Sequence, residues 1–103
     1  RFENFDIGEF AKKTFSMYGG FDEEVTLACE NDIVGVILDR FGQEVTIVPA
    51  DEGHFRVRVL AAVSPQFFGW VTGIGDKMRI AAPEHVREAY REYLLRIIAG
   101  YDR

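Results

Sequence analysis

The sequence has little of what would identify a disulfide-stabilised, membrane-bound or metal-binding protein. Its one cysteine, Cys29, cannot form an internal disulfide, which is typical of proteins in the reducing cytoplasm. No apolar run reaches the roughly 20 residues of a membrane-spanning helix, and no segment resembles a signal peptide. The two histidines, His54 and His85, lack the close spacing of a metal site. We therefore expect a cytoplasmic protein that uses no metal or other cofactor and contacts no membrane.

Positive charge is also scarce, since 12 lysines and arginines stand against 17 aspartates and glutamates. The resulting net charge of -5 argues against a dedicated duplex-DNA-binding domain, which normally has a basic surface. What the sequence does have is material for a core, because 48% of its residues are hydrophobic and 14% are aromatic. This composition and the length of 103 residues indicate one folded domain and exclude a disordered chain.

Hydrophobic periodicity divides the sequence into alternating strands and helices. The predicted strands are 24–30, 43–49, 54–62 and 77–82, and the predicted helices are 31–41, 64–74 and 83–100. The order is therefore βαββαβ with an additional C-terminal helix. This order predicts an α+β fold, a ferredoxin-like sandwich whose antiparallel sheet has the order 4-1-3-2 and whose helices cover one face.

The first 20 residues are set apart from the rest by the pair of glycines that ends them. Residues 6–13 are predicted to form a short helix, which is too small to fold alone. Because the sequence also begins with arginine instead of methionine, we expect it to be a piece of a longer protein. The prediction is thus a connector at 1–20 and a ferredoxin-like domain at 21–103.

The third and fourth strands carry the clearest candidate for a binding site. If the apolar residues of 54–62 face the helices, then Arg56 and Arg58 must project from the opposite face, because side chains alternate along a strand. The same alternation directs Lys77 and Arg79 outward. Four cations on the open face of an acidic protein could bind an anion, a phosphodiester or an acidic partner. They could equally be solvated charges that suppress aggregation through the sheet edge.

Residues with catalytic chemistry are better explained by structural roles. Ser64 precedes Pro65, so it is predicted to cap a helix and not to act as a nucleophile. Cys29 alternates with apolar residues and is predicted to lie in the core. The glycines at 73 and 75 lie at the end of a helix, whereas a phosphate-binding loop precedes one. We therefore predict that the protein is not an enzyme.

The aromatic residues have two interpretations. Phe67, Phe68 and Trp70 lie at helical spacing in one predicted helix, which favours a place in the core. An excess of aromatic residues also fits a surface that is covered by another part of a longer protein. Such surfaces self-associate when they are large enough, so we predict a homodimer.

Several short runs, in this order and spacing, resemble the C-terminal extension (WCX) domain of bacterial WYL-domain transcriptional regulators. The runs are Arg40-Phe41-Gly42, Val45-Thr46-Ile47, His54-Phe55, Ser64-Pro65-Gln66-Phe67-Phe68-Gly69-Trp70-Val71, Ile74-Gly75, Lys77-Met78-Arg79-Ile80, Pro83-Glu84-His85-Val86 and the closing Tyr101. Residues 10–20 resemble the connector that leaves the WYL domain. The resemblance covers nearly the whole sequence.

The resemblance implies a homodimeric parent protein with an N-terminal winged helix-turn-helix, a central WYL domain with an Sm-like β-barrel, and this extension. DNA would bind to the parent's N-terminal domain and not to this piece, which contains neither a helix-turn-helix nor the Trp-Tyr-Leu motif. The extension would contribute to dimer contacts and to a cleft that senses a ligand, which is nucleic acid in some members. The expected function is therefore regulatory, effector-sensing and non-catalytic. The alternative is an anion-, nucleotide- or nucleic-acid-binding module that uses the basic sheet face directly.

Overall fold

The computed structural model describes residues 22–102, which form a layer of four strands covered on one face by three helices. The strands are β1 (Asp22–Glu30), β2 (Thr46–Asp51), β3 (His54–Ala62) and β4 (Met78–Ala82). The helices are α1 (Val34–Phe41), α2 (Pro65–Ile74) and α3 (Glu84–Ala99), with short 3-10 helices at Asn31–Ile33 and Gly75–Lys77. The connector predicted at 1–20, with its short helix, lies outside the described residues.

All the strand pairs in the sheet are antiparallel, and the strand order is β2-β3-β1-β4. This is the predicted order 4-1-3-2 read from the opposite edge, so the predicted α+β, ferredoxin-like architecture is confirmed. β1 pairs with β3 over its whole length, from Asp22 opposite Ala62 to Glu30 opposite His54. These two strands are central, and they fix which side chains face the helices.

The core lies between the sheet and the helices. β3 alternates exposed and buried residues at every position, and β1 buries Val25, Leu27 and Cys29. Leu27 lies opposite Val57 of β3, which is also buried. The inward faces predicted from alternation are therefore confirmed for both central strands, and their other faces form an open surface.

Helix α2 begins as its sequence predicts. The Oγ atom of Ser64 accepts a hydrogen bond from the backbone N–H of Phe67 at 3.1 Å, and Pro65 occupies the first helical position, where it has no N–H to leave unsatisfied. The helix places Phe68 in the core with no exposed surface. The ring of Phe68 lies 5.3 Å from that of Tyr90 and 5.2 Å from that of Tyr93 between centroids, which joins α2 to α3.

The apolar side chains of α3 are buried in the first half of the helix and exposed in its last turns. Val86 and Ala89 are buried, but Ile97 and Ile98 are exposed, and Tyr101 beyond the helix is 86% exposed. The reason is length: 16 residues of helix span about 24 Å, whereas the five residues of β4 beneath them span about 17 Å. The last turns of α3 therefore extend past β4.

Strand β2 and helix α1 also depart from their predictions. β2 begins at Thr46 instead of residue 43, and each of its residues is exposed. As an edge strand it accommodates Pro49, which would interrupt the hydrogen bonding of a central strand. Helix α1 begins only at Val34, because the first three residues of the predicted helix form a 3-10 helix, and it buries Ile37 whereas Val36 is 38% exposed.

Candidate functional site

The open face of the sheet brings three arginines together. Arg56 of β3 and Arg79 of β4 both lie opposite Ala28 of β1, one on each side. Since neighbouring strands are about 4.8 Å apart, the Cα atoms of these two arginines are about 10 Å apart. Arg58 projects from the next outward position of β3, opposite Thr26. Because only a methyl group stands between Arg56 and Arg79, both guanidinium groups can reach one anion over Ala28.

The fourth cation of the predicted site is placed differently. Lys77 lies in the 3-10 helix before β4 and not in the strand itself, so its predicted place in the fourth strand is wrong. Its Nζ atom donates a hydrogen bond to the carboxylate of Asp32, which raises the pKa of Lys77 above its usual value. We therefore consider the three arginines, which we call the arginine row, as the candidate site.

The charge of the arginine row is not neutralised within the described residues. Among residues 22–102, no carboxylate forms an ion pair with Arg56, Arg58 or Arg79, and all three side chains are exposed. The ion pairs there join other residues: His54–Asp51, Lys77–Asp32, His85–Glu23 and Arg87–Glu84. An arginine without a carboxylate partner can bind carboxylate or phosphate through two parallel hydrogen bonds.

One end of the arginine row opens into a small cavity of about 200 Å³. Arg56, Arg79 and Ala28 line it together with His54 and Asp51 from the turn between β2 and β3. The Oδ1 atom of Asp51 lies 2.7 Å from Nδ1 of His54 and accepts the N–H of the intervening glycine at 2.9 Å. The hydrogen bond with His54 holds the pKa of Asp51 below its usual value, so this carboxylate stays charged. It marks the end of the cationic surface.

A larger groove, which the sequence did not predict, has a volume of about 630 Å³. It lies where β3 continues past Arg58, its last residue paired with β2. Arg40 of α1 and Trp70 of α2 both line it, and the guanidinium group of Arg40 lies over the Trp70 ring. Trp70 was expected in the core but is only partly buried. The contact between Arg40 and Trp70 could not be predicted from the sequence, because the two residues meet only when both helices have packed.

The described residues contain neither a cluster of metal-binding side chains nor a cysteine with a lowered pKa. No group of three or more histidine, cysteine, aspartate or glutamate side chains in residues 22–102 could hold a metal ion. Burial raises the pKa of the Cys29 thiol to about 11, so at neutral pH it is a thiol and not a nucleophilic thiolate. No helix within the same residues is long and apolar enough to cross a membrane.

Comparison with known proteins gives one match. A family model described as the WCX domain matches residues 22–98, which run from the start of β1 to the last turn of α3. No curated protein and no solved structure matches the chain.

Proposed function

The chain belongs to the WCX domain family, and from this premise we propose that it is a non-catalytic regulatory domain of a bacterial WYL-type transcriptional regulator. The complete regulator would carry an upstream WYL domain and a winged helix-turn-helix, and it would act in the cytoplasm as a homodimer. DNA would be bound by the winged helix-turn-helix, which agrees with the net charge of -5 of this chain. The role of this domain is then to sense an effector and to pass its binding state to the dimer.

The arginine row is the observation that carries the effector-sensing part of this proposal. Arg56 and Arg79 flank Ala28 on the open face, and Arg58 projects from the next outward position of β3. An acidic protein that keeps three arginines on one surface, with no ion pair to them among residues 22–102, concentrates positive potential there and attracts anions. A phosphate group, either free or in a nucleic-acid backbone, has the charge and geometry that guanidinium groups bind well. We therefore propose a phosphate-containing effector.

In the second candidate function, this domain binds its ligand alone, whereas in the first it needs the upstream WYL domain. In the alternative, the open face binds an anion, a nucleotide or a nucleic acid directly, without an upstream domain. The small cavity at the end of the arginine row favours this alternative, because Arg56, Lys77 and Arg79 all line its volume of about 200 Å³. Carboxylates of Glu30, Asp51 and Asp76 line it too, so an anion would bind at the cationic side of the cavity. The regulatory proposal instead expects the upstream WYL domain to complete the cleft.

A titration with single-stranded oligonucleotides and inorganic phosphate in low salt separates the two candidates. We expect the full-length regulator to bind, and the double variant Arg56→Glu/Arg58→Glu to lose binding with an unchanged melting temperature. Binding to an oligonucleotide should weaken steeply with added salt, because phosphate contacts release counterions. A matched control is Arg87→Glu/Arg91→Glu, which makes the same charge change on exposed residues of α3.

The outcomes differ for each candidate. Binding by the 103-residue chain alone supports the alternative, whereas binding that needs the full-length regulator supports the regulatory proposal. If the control variant loses as much binding as Arg56→Glu/Arg58→Glu, the effect is one of net charge and the arginine row is not the site. If neither protein binds, the phosphate-containing effector is ruled out.

A further inference from the structure

The groove between α1, α2 and the end of β3 lies where β3 extends past its neighbour β2. β2 pairs with β3 only as far as Arg58, so the segment Val59–Ala62 lacks a β2 partner. Leu60, Ala61 and Ala62 line the groove, which has a volume of about 630 Å³. Sites for small ligands typically have volumes of about 300–1,000 Å³, so this groove is large enough for one small organic molecule.

Three aromatic rings form the wall of the groove. The ring of Trp70 meets that of Phe41 edge-on, with centroids 5.5 Å apart, and is nearly parallel to that of Phe67 at 6.1 Å. Phe67 is buried and anchors the cluster, whereas Phe41 and Trp70 are only partly buried. The parts of the two outer rings that stay exposed therefore offer apolar surface to the groove.

A cation lies over this aromatic wall. The guanidinium carbon of Arg40 is 4.9 Å from the centroid of the Trp70 ring and 6.0 Å from that of Phe41. The rings hold the guanidinium group by a cation–π interaction. Within residues 22–102, no carboxylate forms an ion pair with Arg40, so its charge is available to a ligand. Asp39 and Gln66 also line the groove and add a hydrogen-bond acceptor and an amide.

We propose that this groove binds a small planar nitrogen heterocycle that carries an acidic group. The ring would pack against the aromatic wall, and its acidic group would pair with the guanidinium group of Arg40. A ring nitrogen would accept a hydrogen bond from the amide N–H of Gln66, and an exocyclic amine on the ring would donate to Asp39. An apolar ligand would leave Arg40 without a counter-charge, and a non-aromatic acid would leave the exposed parts of Phe41 and Trp70 uncovered. The site uses none of the arginine row, so it is a second binding site beyond the proposed function.

Trp70 makes the test direct, because it is the only tryptophan in the sequence. Its fluorescence in the 103-residue chain therefore reports on this groove alone. The probes are adenosine monophosphate and nicotinate, which both join a nitrogen heterocycle to an acid. We expect saturable quenching by at least one of them, and none by ribose 5-phosphate, which has the acid without the ring.

Calorimetry with the same probes tests the role of Arg40 without relying on fluorescence. Arg40→Ala should weaken binding about tenfold, the effect of losing roughly 1.4 kcal/mol from a desolvated cation–π and ion-pair contact. Arg40→Lys should restore part of it, because the charge remains but the planar group does not. Arg87→Ala is the matched control, since this exposed arginine lies on α3 outside the groove, and it should leave affinity unchanged.

Each outcome bears on the proposal. Binding of adenosine monophosphate alone identifies a nucleotide site, binding of nicotinate alone identifies a site for small aromatic acids, and both results support the proposal. Equal binding of ribose 5-phosphate, full affinity in Arg40→Ala, or no saturable binding of either probe would overturn it. So would loss of binding in Arg56→Glu/Arg58→Glu, which would assign the probe to the arginine row.

Discussion

Ala28 is the residue on which the arginine row depends, because its methyl group is all that separates Arg56 from Arg79 across β1. We expect Ala28→Glu to abolish phosphate or oligonucleotide binding by the full-length regulator, since the new carboxylate would pair with both arginines. The same pairing should stabilise the sheet by roughly 0.2–1 kcal/mol for each cross-strand pair. Calorimetry measures the first effect, and urea unfolding measures the second.

The control for this prediction is Ala28→Gln, which adds nearly the same volume without charge. It should keep most of the binding and gain no comparable stability. Equal loss of binding in the two variants would show that bulk at residue 28, and not charge, blocks the face.

Cys29 supplies a prediction that depends on pH. Burial raises the pKa of its thiol from the ordinary value of 9.0 to about 11. Two pKa units correspond to roughly 100-fold less thiolate at pH 8, and the thiolate is the reactive form. We expect a thiol-specific reagent at pH 8 to label the folded chain at least that much more slowly than the urea-unfolded chain. Labelling at similar rates would mean that Cys29 is not held in the core.

At the scale of elements, the start of α2 rests on one side-chain hydrogen bond, from the Phe67 N–H to the Ser64 hydroxyl oxygen. Ser64→Ala should lower the free energy of unfolding by about 1 kcal/mol, because the N–H then lacks its partner. Ser64→Asp keeps an acceptor at the same place and should retain most of the stability. Urea unfolding of the three proteins measures both effects, and a cost for Ser64→Asp as large as that for Ser64→Ala would contradict the capping role.

Elements that bury one face could be predicted from the sequence more accurately than elements that do not. β1 and β3 were predicted well because each buries one face, which imposes strict alternation along the strand. β2 was misplaced because an edge strand exposed at every position carries no such alternation. The packed length of α3 depends on the strand beneath it, and a helical stripe alone does not contain that information.

Features of the candidate sites that follow from alternation along a strand could be predicted, whereas contacts between residues distant in the sequence could not. Arg56, Arg58 and Arg79 could be placed on the open face from alternation alone. That Lys77 binds a ligand stays a prediction. Its hydrogen bond with Asp32 could not be predicted, because Asp32 comes from a distant part of the sequence. The groove was missed for the same reason, since it requires α1 and α2 to lie side by side at the end of β3.

At the scale of the whole molecule, the homodimer remains a prediction. We expect its interface to include the end of α3. Leu95, Ile97 and Ile98 are 43%, 44% and 51% exposed on the turns that extend past β4. Exposed apolar surface of this kind favours association. Light scattering of the full-length regulator should give twice the monomer mass, and Ile97→Glu/Ile98→Glu should shift it toward the monomer.

The matched control is Glu88→Lys/Glu92→Lys, which changes two exposed charged residues in the middle of the same helix. It should leave the mass unchanged. A full-length regulator that stays monomeric at high concentration would contradict the dimer. A dimer that persists in Ile97→Glu/Ile98→Glu would place the interface elsewhere.

The sheet order also determines the sequence of events during synthesis on the ribosome. In the folded sheet, Leu27 of β1 lies opposite Val57 of β3 on one side and Ile80 of β4 on the other. Both partners come later in the sequence, so β1 leaves the ribosome before either of its neighbours. The hairpin of β2 and β3 can close as soon as it emerges, since contacts between near neighbours in sequence form fastest. A strand that buries Val25, Leu27 and Cys29 in the finished domain therefore waits, unpaired on both edges, for partners that are translated later. During that interval β1 is the segment that a chaperone would be expected to shield.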